Sequence, residues 1–132
     1  MSQLSDTLKR RVEGELLFDP YSRGRYATDA SLYQMLPLGI LMPKSEDDIS
    51  AAIDIAGEQS IPILARGGGT SHCGQTVNAA LILDTTLHFT YILYLAVAHT
   101  LRLVAPGIRS EQFNSHSTQP GPACTLHGSR AI

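Results

Sequence analysis

The stretch LARGGGTSHCGQTVN, residues 64–78, decides how the rest of the sequence is interpreted. Three consecutive glycines follow a short apolar run and an arginine, and hydroxyl residues come directly after them. Glycine tolerates positive φ and has no Cβ, so residues 67–69 are expected to let a bound group approach the backbone closely. Successive N–H groups in such a loop form a nest that binds anions such as phosphate. A glycine-rich surface turn without a ligand is the alternative interpretation.

The sequence before this loop has a strand–helix–strand pattern. LGILMP (38–43) and IPILA (61–65) are typical of short buried strands. The segment between them predicts a helix that is capped by Ser45, with Asp48 completing a capping box. The apolar stripe of this helix is predicted to consist of Ile49, Ala52, Ile53 and Ala56. The pattern indicates a βαβ unit with parallel strands and a right-handed crossover.

The segments on either side of this unit have weaker patterns. Residues 1–18 predict a helix, because apolar residues recur at every fourth position, at Leu4, Leu8, Val12 and Leu16. Residues 18–37 are rich in turn formers and predict an ordered loop, which the side chains of Tyr26 and Asp29 hold against the sheet. ALILD (80–84) predicts a third strand of the sheet.

The C-terminal third of the chain is less regular. YILYLAV (91–97) and LRLVAPG (101–107) could pair as antiparallel strands, although no residue typical of a turn separates them. IRSEQFN (108–114) begins like a helix with Ser110 as its cap. Residues 115–132 have neither a helical nor a strand period, and we interpret them as a loose tail.

Composition narrows the class of protein. The chain has 132 residues, with 10 basic residues against 12 acidic ones, so no basic surface for nucleic acid is expected. The longest apolar run, 91–98, is too short to span a membrane. Two cysteines, Cys73 and Cys124, suggest no disulfide framework and favour a cytoplasmic location. The uncharged, β-prone window 89–98 predicts self-association if it is exposed.

Several known phosphate and metal motifs fit the loop poorly. Residues 69–76 match the spacing G-x-x-x-x-G-x-T, but Gln75 stands where a phosphate loop of the Walker type needs lysine. A dinucleotide fingerprint would need glycine in place of His72 and a helix after the loop. No metal site is expected, because the His-Cys pair at 72–73 and the Cys-x-x-His at 124–127 lack regular ligand spacing. A pyrophosphate loop between two strands remains.

Residues 64–86 resemble the pyrophosphate loop of FAD-linked oxidoreductases of the vanillyl-alcohol-oxidase type. They are most similar to the branch of D-lactate, glycolate and D-2-hydroxyglutarate dehydrogenases, whose loop runs R-G-x-G-T-[GS]-x-x-G. Residues 26–56 and 101–108 resemble the neighbouring segments of that branch, and the likeness covers residues 12–114. The fold that this resemblance implies is α+β. It is the N-terminal part of a PCMH-type FAD-binding domain, with a small parallel βαβ sheet carrying the loop and an incomplete antiparallel part after it.

The resemblance also implies a cofactor site. Gly67, Gly68, Gly69, Thr70 and Ser71 would wrap the pyrophosphate of FAD, with Gln75 and Thr76 close behind them. Arg66 completes the expected cofactor-binding set, and it could either pair with a phosphate or brace the loop. Some relatives bind flavin covalently through a histidine at the position of Thr70. Threonine lacks that chemistry, so the resemblance implies noncovalent FAD.

By resemblance, the activity is hydride transfer from a 2-hydroxy acid to FAD. In relatives the flavin domain continues further and a cap domain holds the substrate and the catalytic base, so no catalytic residue is named here. We expect residues 1–114 to be a partial FAD-binding domain and 115–132 to be a tail unrelated to the family. The isolated chain would then be truncated and inactive. A catalytically inactive fragment or a phosphate- or nucleotide-binding module is the alternative function.

Overall fold

The computed structural model describes residues 2–95, 102–109 and 111–112. The described helices are α1 (Ser2–Arg11), α2 (Pro20–Arg25) and α3 (Glu46–Glu58). The described strands are β1 (Glu15–Leu17), β2 (Gly39–Met42), β3 (Ile63–Arg66), β4 (Leu81–Asp84), β5 (Ile92–Leu95) and β6 (Arg102–Val104). They form a four-stranded sheet with the order β1-β2-β4-β3 and a two-stranded sheet of β5 and β6. The α+β class expected from the sequence is confirmed.

The four-stranded sheet is parallel except at one edge. β2 and β3 both run parallel to β4, with Ile40 and Leu64 as partners of Ile82, whereas β1 is antiparallel to β2. The predicted parallel orientation of β2 and β3 is therefore confirmed. The two strands are not neighbours, however, because β4 lies between them. The handedness of the crossover through α3 stays a prediction.

Both faces of the sheet carry apolar packing. On one face, strand residues pack against α1 and α3 in a cluster of Leu4, Leu8, Leu41, Ala52, Ile55, Leu81 and Leu83. On the other face, Ile40 and Ile82 pack with Tyr26. Neighbouring residues of a strand point to opposite faces, so a central strand that is covered on both sides buries all of its side chains. This explains why all four residues of β4 are buried.

Helix α3 begins where the sequence predicts, because Oγ of Ser45 accepts the N–H of Asp48 at 3.3 Å. The predicted capping box is wrong in its second half. The buried carboxylate of Asp48 instead accepts the N–H groups of Lys44 and Glu13, each at 2.8 Å. Asp48 therefore connects the start of α3 to the turn between α1 and β1.

The buried face of α3 differs from the predicted stripe. Ala52 and Ala56 are buried as expected, but Ile53 is 53% exposed and Ile55 is fully buried. Ile49 is partly buried against the core. The buried face of α3 thus consists of Asp48, Ala52, Ile55 and Ala56, and a purely apolar pattern does not predict that it includes a carboxylate.

The N-terminal elements are shorter than predicted. α1 ends at Arg11, and Leu16 lies in β1, where it pairs with Leu41. The predicted loop over 18–37 contains the short helix α2. Its start is fixed by Asp19, whose Oδ1 accepts the N–H of Ser22 at 2.8 Å. A proline follows this cap in the first turn, which is a common helix start.

β5 and β6 pair antiparallel, as the sequence indicated, with a shift in register between Ile92 and Tyr94. The N–H of Ala105 donates to the carbonyl of Tyr91 at 2.9 Å, and that of Gly107 to Phe89 at 2.7 Å. The connection between the two strands and residues 113–132 lie outside the described residues. Of the predicted helix over 108–114, residues 111–112 are helical.

Candidate functional site

The glycine loop is the connection between β3 and β4, the two strands that form one edge of the parallel sheet. It surrounds an open depression of about 530 Å³. The depression is lined by Gly67, Gly68, Gly69, Thr70, Ser71, His72, Cys73, Gln75 and Thr76. Among the described residues, no carboxylate contributes to this lining. An anion in the depression would therefore meet backbone and hydroxyl groups rather than a like charge.

Two glycines give the loop its shape. Gly69 has φ 68° and Gly74 has φ 72°, and they are the described glycines in the left-handed region. Of the three consecutive glycines, Gly69 is the one that uses the positive φ that glycine tolerates. A Cβ at Gly67 would have no atom within 4 Å, whereas one at Gly74 would lie 2.6 Å from the ring of Tyr33. Backbone conformation thus demands glycine at positions 69 and 74.

The backbone N–H groups of residues 67–71 are available to a ligand. Within the described part of the chain, none of these five groups donates to a protein acceptor. The loop is instead attached through a carbonyl, since Gly69 accepts the N–H of Ala30 at 3.0 Å. A consecutive run of N–H donors in an irregular segment is the arrangement that binds anions.

Side chains at the far end of the loop are tied to each other and to residue 29. Oγ of Ser71 donates to Oε1 of Gln75 and accepts the N–H of Cys73 at 3.3 Å. Oγ1 of Thr76 donates to Oδ2 of Asp29 at 2.9 Å. The hydroxyl of Ser31 donates to the same carboxylate, and mainly for this reason the pKa of Asp29 falls from 3.8 to about 2. Asp29 therefore stays ionised and anchors the loop at neutral pH.

Arg66 lies beneath the loop and is absent from the lining of the depression. Its Nη1 donates to the carbonyls of Tyr26 and Thr76 at 3.1 Å each, and its Nη2 donates to Thr28 at 2.9 Å. The guanidinium also lies over the ring of Tyr26, at 5.1 Å from the centroid. Of the two roles open for Arg66 from the sequence, these contacts show the brace.

Tyr26 connects this brace to the centre of the sheet. Its hydroxyl donates to Oδ2 of Asp84 at 2.5 Å, while Oδ1 accepts the N–H and the hydroxyl of Thr86 at 2.9 and 2.6 Å. Burial and the neighbouring Asp84 carboxylate raise the pKa of Tyr26 above its ordinary value of 10, so the hydroxyl remains a donor. The predicted role of Tyr26 in holding its segment against the sheet is confirmed, whereas Asp29 holds that segment against the glycine loop, through Thr76, and not against a strand. The sequence pattern gives Asp84 no predicted role, although a carboxylate at the end of a buried strand is a signal for a buried polar contact.

The described residues contain no group of three or more metal-ligating side chains. His72 and Cys73 are exposed in the loop, and Cys124 and His127 lie outside the described residues. In the part of the chain that the structure describes, every helix is too short or too polar to cross a bilayer.

Residues 37–128 match the family described as the FAD binding domain. The chain belongs to this family. D-2-hydroxyglutarate dehydrogenase of Haemophilus influenzae is 37% identical over 117 residues, which are 86% of this chain and 11% of that protein. Glycolate oxidase subunit GlcD of Bacillus subtilis is 34% identical over 103 residues, 74% of this chain and 22% of that protein. The branch expected from residues 64–86 is confirmed, and the chain spans a small part of these relatives.

Solved structures show the same fold. Alkyldihydroxyacetonephosphate synthase superposes with a TM-score of 0.76 at 16% identity, over 89% of this chain and 24% of that one. p-Cresol methylhydroxylase superposes with a TM-score of 0.69 at 16% identity, over 87% of this chain and 24% of that one. The FAD-binding domain of this chain therefore has the PCMH-type architecture expected from the resemblance.

Proposed function

We propose that this chain is the FAD-binding part of an oxidoreductase that transfers a hydride from a 2-hydroxy acid to flavin. The observation that carries the proposal is the run of five available N–H groups at residues 67–71, in a chain of the FAD-binding domain family. The names of the dehydrogenase and oxidase relatives support the substrate class. When bound, FAD would accept the hydride from the carbon that bears the hydroxyl, and the hydroxyl proton would pass to a base as the hydroxy acid becomes an oxo acid.

The loop residues fit the pyrophosphate of FAD. The N–H groups of residues 67–71 would hold the phosphate oxygens, and the hydroxyls of Thr70 and Ser71 would add donors. Gln75 would support the loop by accepting the hydroxyl of Ser71, and Thr76 would support it by donating to Asp29. A lining without carboxylates among the described residues suits a doubly charged group.

We further propose that the protein is cytoplasmic, because its two cysteines suggest no disulfide framework.

We also propose that FAD is held noncovalently. The residue at position 70 is threonine, which lacks the ring nitrogen of the histidine that some relatives use for attachment. Precipitation of the FAD-loaded chain with acid should therefore release yellow flavin into the supernatant. Flavin retained in the pellet would contradict this proposal. Loss of that retention in His72→Ala or Cys73→Ser would identify the attachment point, since both residues line the depression.

The second candidate is a nucleotide-binding module without catalytic activity. Among the nine residues that line the depression, His72 and Cys73 are the titratable ones, and both are exposed. The described site thus offers N–H and hydroxyl donors that could bind a phosphate, but few side chains that could act as an acid or a base. In this candidate, residues 1–114 are a partial FAD-binding domain. The reaction of the whole relatives would then need groups that lie outside this site.

The binding proposal is tested by titrating the full 132-residue chain with FAD and measuring the quenching of flavin fluorescence. Wild type should bind, and Gly68→Val should abolish binding, because a β-branched side chain at this exposed position would fill the space of the anion. His72→Ala should bind nearly as wild type does. Absence of binding in wild type, or equal losses in the two variants, would refute the assigned site.

An activity assay separates the two candidate functions. Dye-linked oxidation of D-lactate, glycolate or D-2-hydroxyglutarate by the FAD-loaded chain would establish the oxidoreductase and exclude the inactive module. FAD binding without turnover of any of the three would favour the module.

A further inference from the structure

Arg66 connects two segments that are far apart in the sequence. Its three hydrogen bonds run to the carbonyls of residues 26 and 28, before β2, and to that of residue 76, in the second half of the glycine loop. A guanidinium carries five N–H donors in a fixed plane, and three of them are thus directed at backbone oxygens. This geometry needs the planar fork of arginine, which the single ammonium of lysine does not reproduce.

Arg66 and Gly69 fit each other sterically. A Cβ on Gly69 would lie 2.5 Å from Nη2 of Arg66 and 3.0 Å from Cζ. Gly69 also has φ 68°, which strains any residue with a side chain. Position 69 therefore has two independent reasons to be glycine, and one of them is the guanidinium itself. The turn at Gly69 closes around the Arg66 side chain.

The other side of the guanidinium is fixed by Tyr26 and Asp84. The Tyr26 ring lies against Arg66, and its hydroxyl is anchored on Asp84. Asp84 is also the cross-strand partner of Arg66 in the pairing of β3 with β4. The position of Arg66 is therefore determined from the sheet below, from the segment before β2, and from the loop above.

We propose that Arg66 is a positioning residue for the phosphate loop and does not itself contact the phosphate. Through its bonds to three carbonyls and the space left by Gly69, it sets the path of the backbone at residues 67–71. The inference rests on the proposed FAD site, because the donors of that segment are the groups that Arg66 positions.

The first test compares Arg66→Lys with Arg66→Gln in FAD titrations of the full chain at several salt concentrations. A positioning role predicts a loss of about tenfold or more in affinity for both variants, because neither reproduces the hydrogen bonds of the fork. It also predicts that the salt dependence of binding is unchanged. Near-wild-type affinity in Arg66→Lys, with a flatter salt dependence in Arg66→Gln, would show a direct phosphate contact and overturn the proposal. Arg25→Gln, an exposed position, controls for loss of charge.

The second test needs no ligand. Gly69→Ala should lower the denaturant midpoint of the wild-type chain by more than it lowers that of Arg66→Gln, because removal of the guanidinium relieves the clash. Gly67→Ala is the matched control, since its Cβ would meet no atom within 4 Å, and its shift should be the same in both backgrounds. If Arg66→Gln does not fold, Arg66→Lys provides the second background.

Equal shifts for Gly69→Ala in both backgrounds would overturn the proposed coupling. Coupling in the unfolding experiment together with no FAD binding by wild type would refute the proposed function, while the role of Arg66 in setting the loop would stand. FAD binding by wild type without the coupling would refute the positioning role alone.

Discussion

All four residues of β4 are buried at the centre of the four-stranded sheet, whereas Leu93 and Leu103 of the two-stranded sheet are 54% and 56% exposed. The first sheet has helices on one face and Tyr26 on the other, so it carries its own core. At the ends of the second sheet, Phe89 and Ala105 are buried, and the N–H of Phe89 donates to the carbonyl of Thr85, just after β4. The glycine loop therefore lies on the sheet that has apolar packing on both of its faces.

The largest expected effect is in the core of the four-stranded sheet. Ile82→Ala should cost about 2–5 kcal/mol in the free energy of unfolding, because the side chain is fully buried and leaves a cavity. Leu93→Ala, the matched change in the two-stranded sheet, should cost about 0.5 kcal/mol or less. Urea denaturation followed by circular dichroism measures both. If the two variants lost similar amounts of unfolding free energy, the claim that, of the two described sheets, only the four-stranded one has a buried core would be wrong.

The second prediction concerns the exposed surface of β5. Tyr91 and Leu93 are 43% and 54% exposed in an uncharged, β-prone window, so we expect the chain to self-associate through residues 89–98. Tyr91→Lys combined with Leu93→Lys should raise the fraction of monomer in size-exclusion chromatography. The same substitutions at Leu81 and Leu83 should unfold the chain, since those residues are buried. A wild-type monomer that the first pair of lysines unfolds would show that β5 is part of a core.

The smallest effect tests the attachment of the loop. The pKa of Asp29 in the folded chain is about 2, below the ordinary 3.8, so its stabilising contribution is present above about pH 3.8 and is lost as the pH falls toward 2. Asp29→Asn should be less stable than wild type at neutral pH, and the difference between them should shrink over that window. Thermal melts at pH 7, 4 and 2.5 measure this. A difference that does not depend on pH would exclude the carboxylate as its source.

Local pattern was enough to predict the elements around the loop. Short apolar runs gave β2, β3 and β4, and Ser45 marked the start of α3, because these features depend on neighbouring residues. Three consecutive glycines after β3 located the candidate site for the same reason. The family followed from the extended match around the loop, not from periodicity.

Interactions between distant residues account for what the sequence did not predict. Leu16 continues the spacing of α1 but pairs with β2. In α3, Ile53 is exposed and Ile55 is buried on the same face as Asp48, whose carboxylate bonds the distant Glu13. The hydrogen bond between Tyr26 and Asp84 joins residues that are 58 positions apart in the sequence. Nor does a βαβ pattern specify that a later strand will lie between its two strands.

The central position of β4 has a consequence for synthesis of the chain. β2 and β3 leave the ribosome first, yet each pairs with β4 rather than with the other. Until Asp84 has emerged, the nascent polypeptide presents two strands with unpaired edges, and Tyr26 lacks the acceptor for its hydroxyl. Completion of the sheet, closure of the glycine loop and anchoring of Tyr26 therefore depend on the synthesis of the same four residues, Leu81–Asp84.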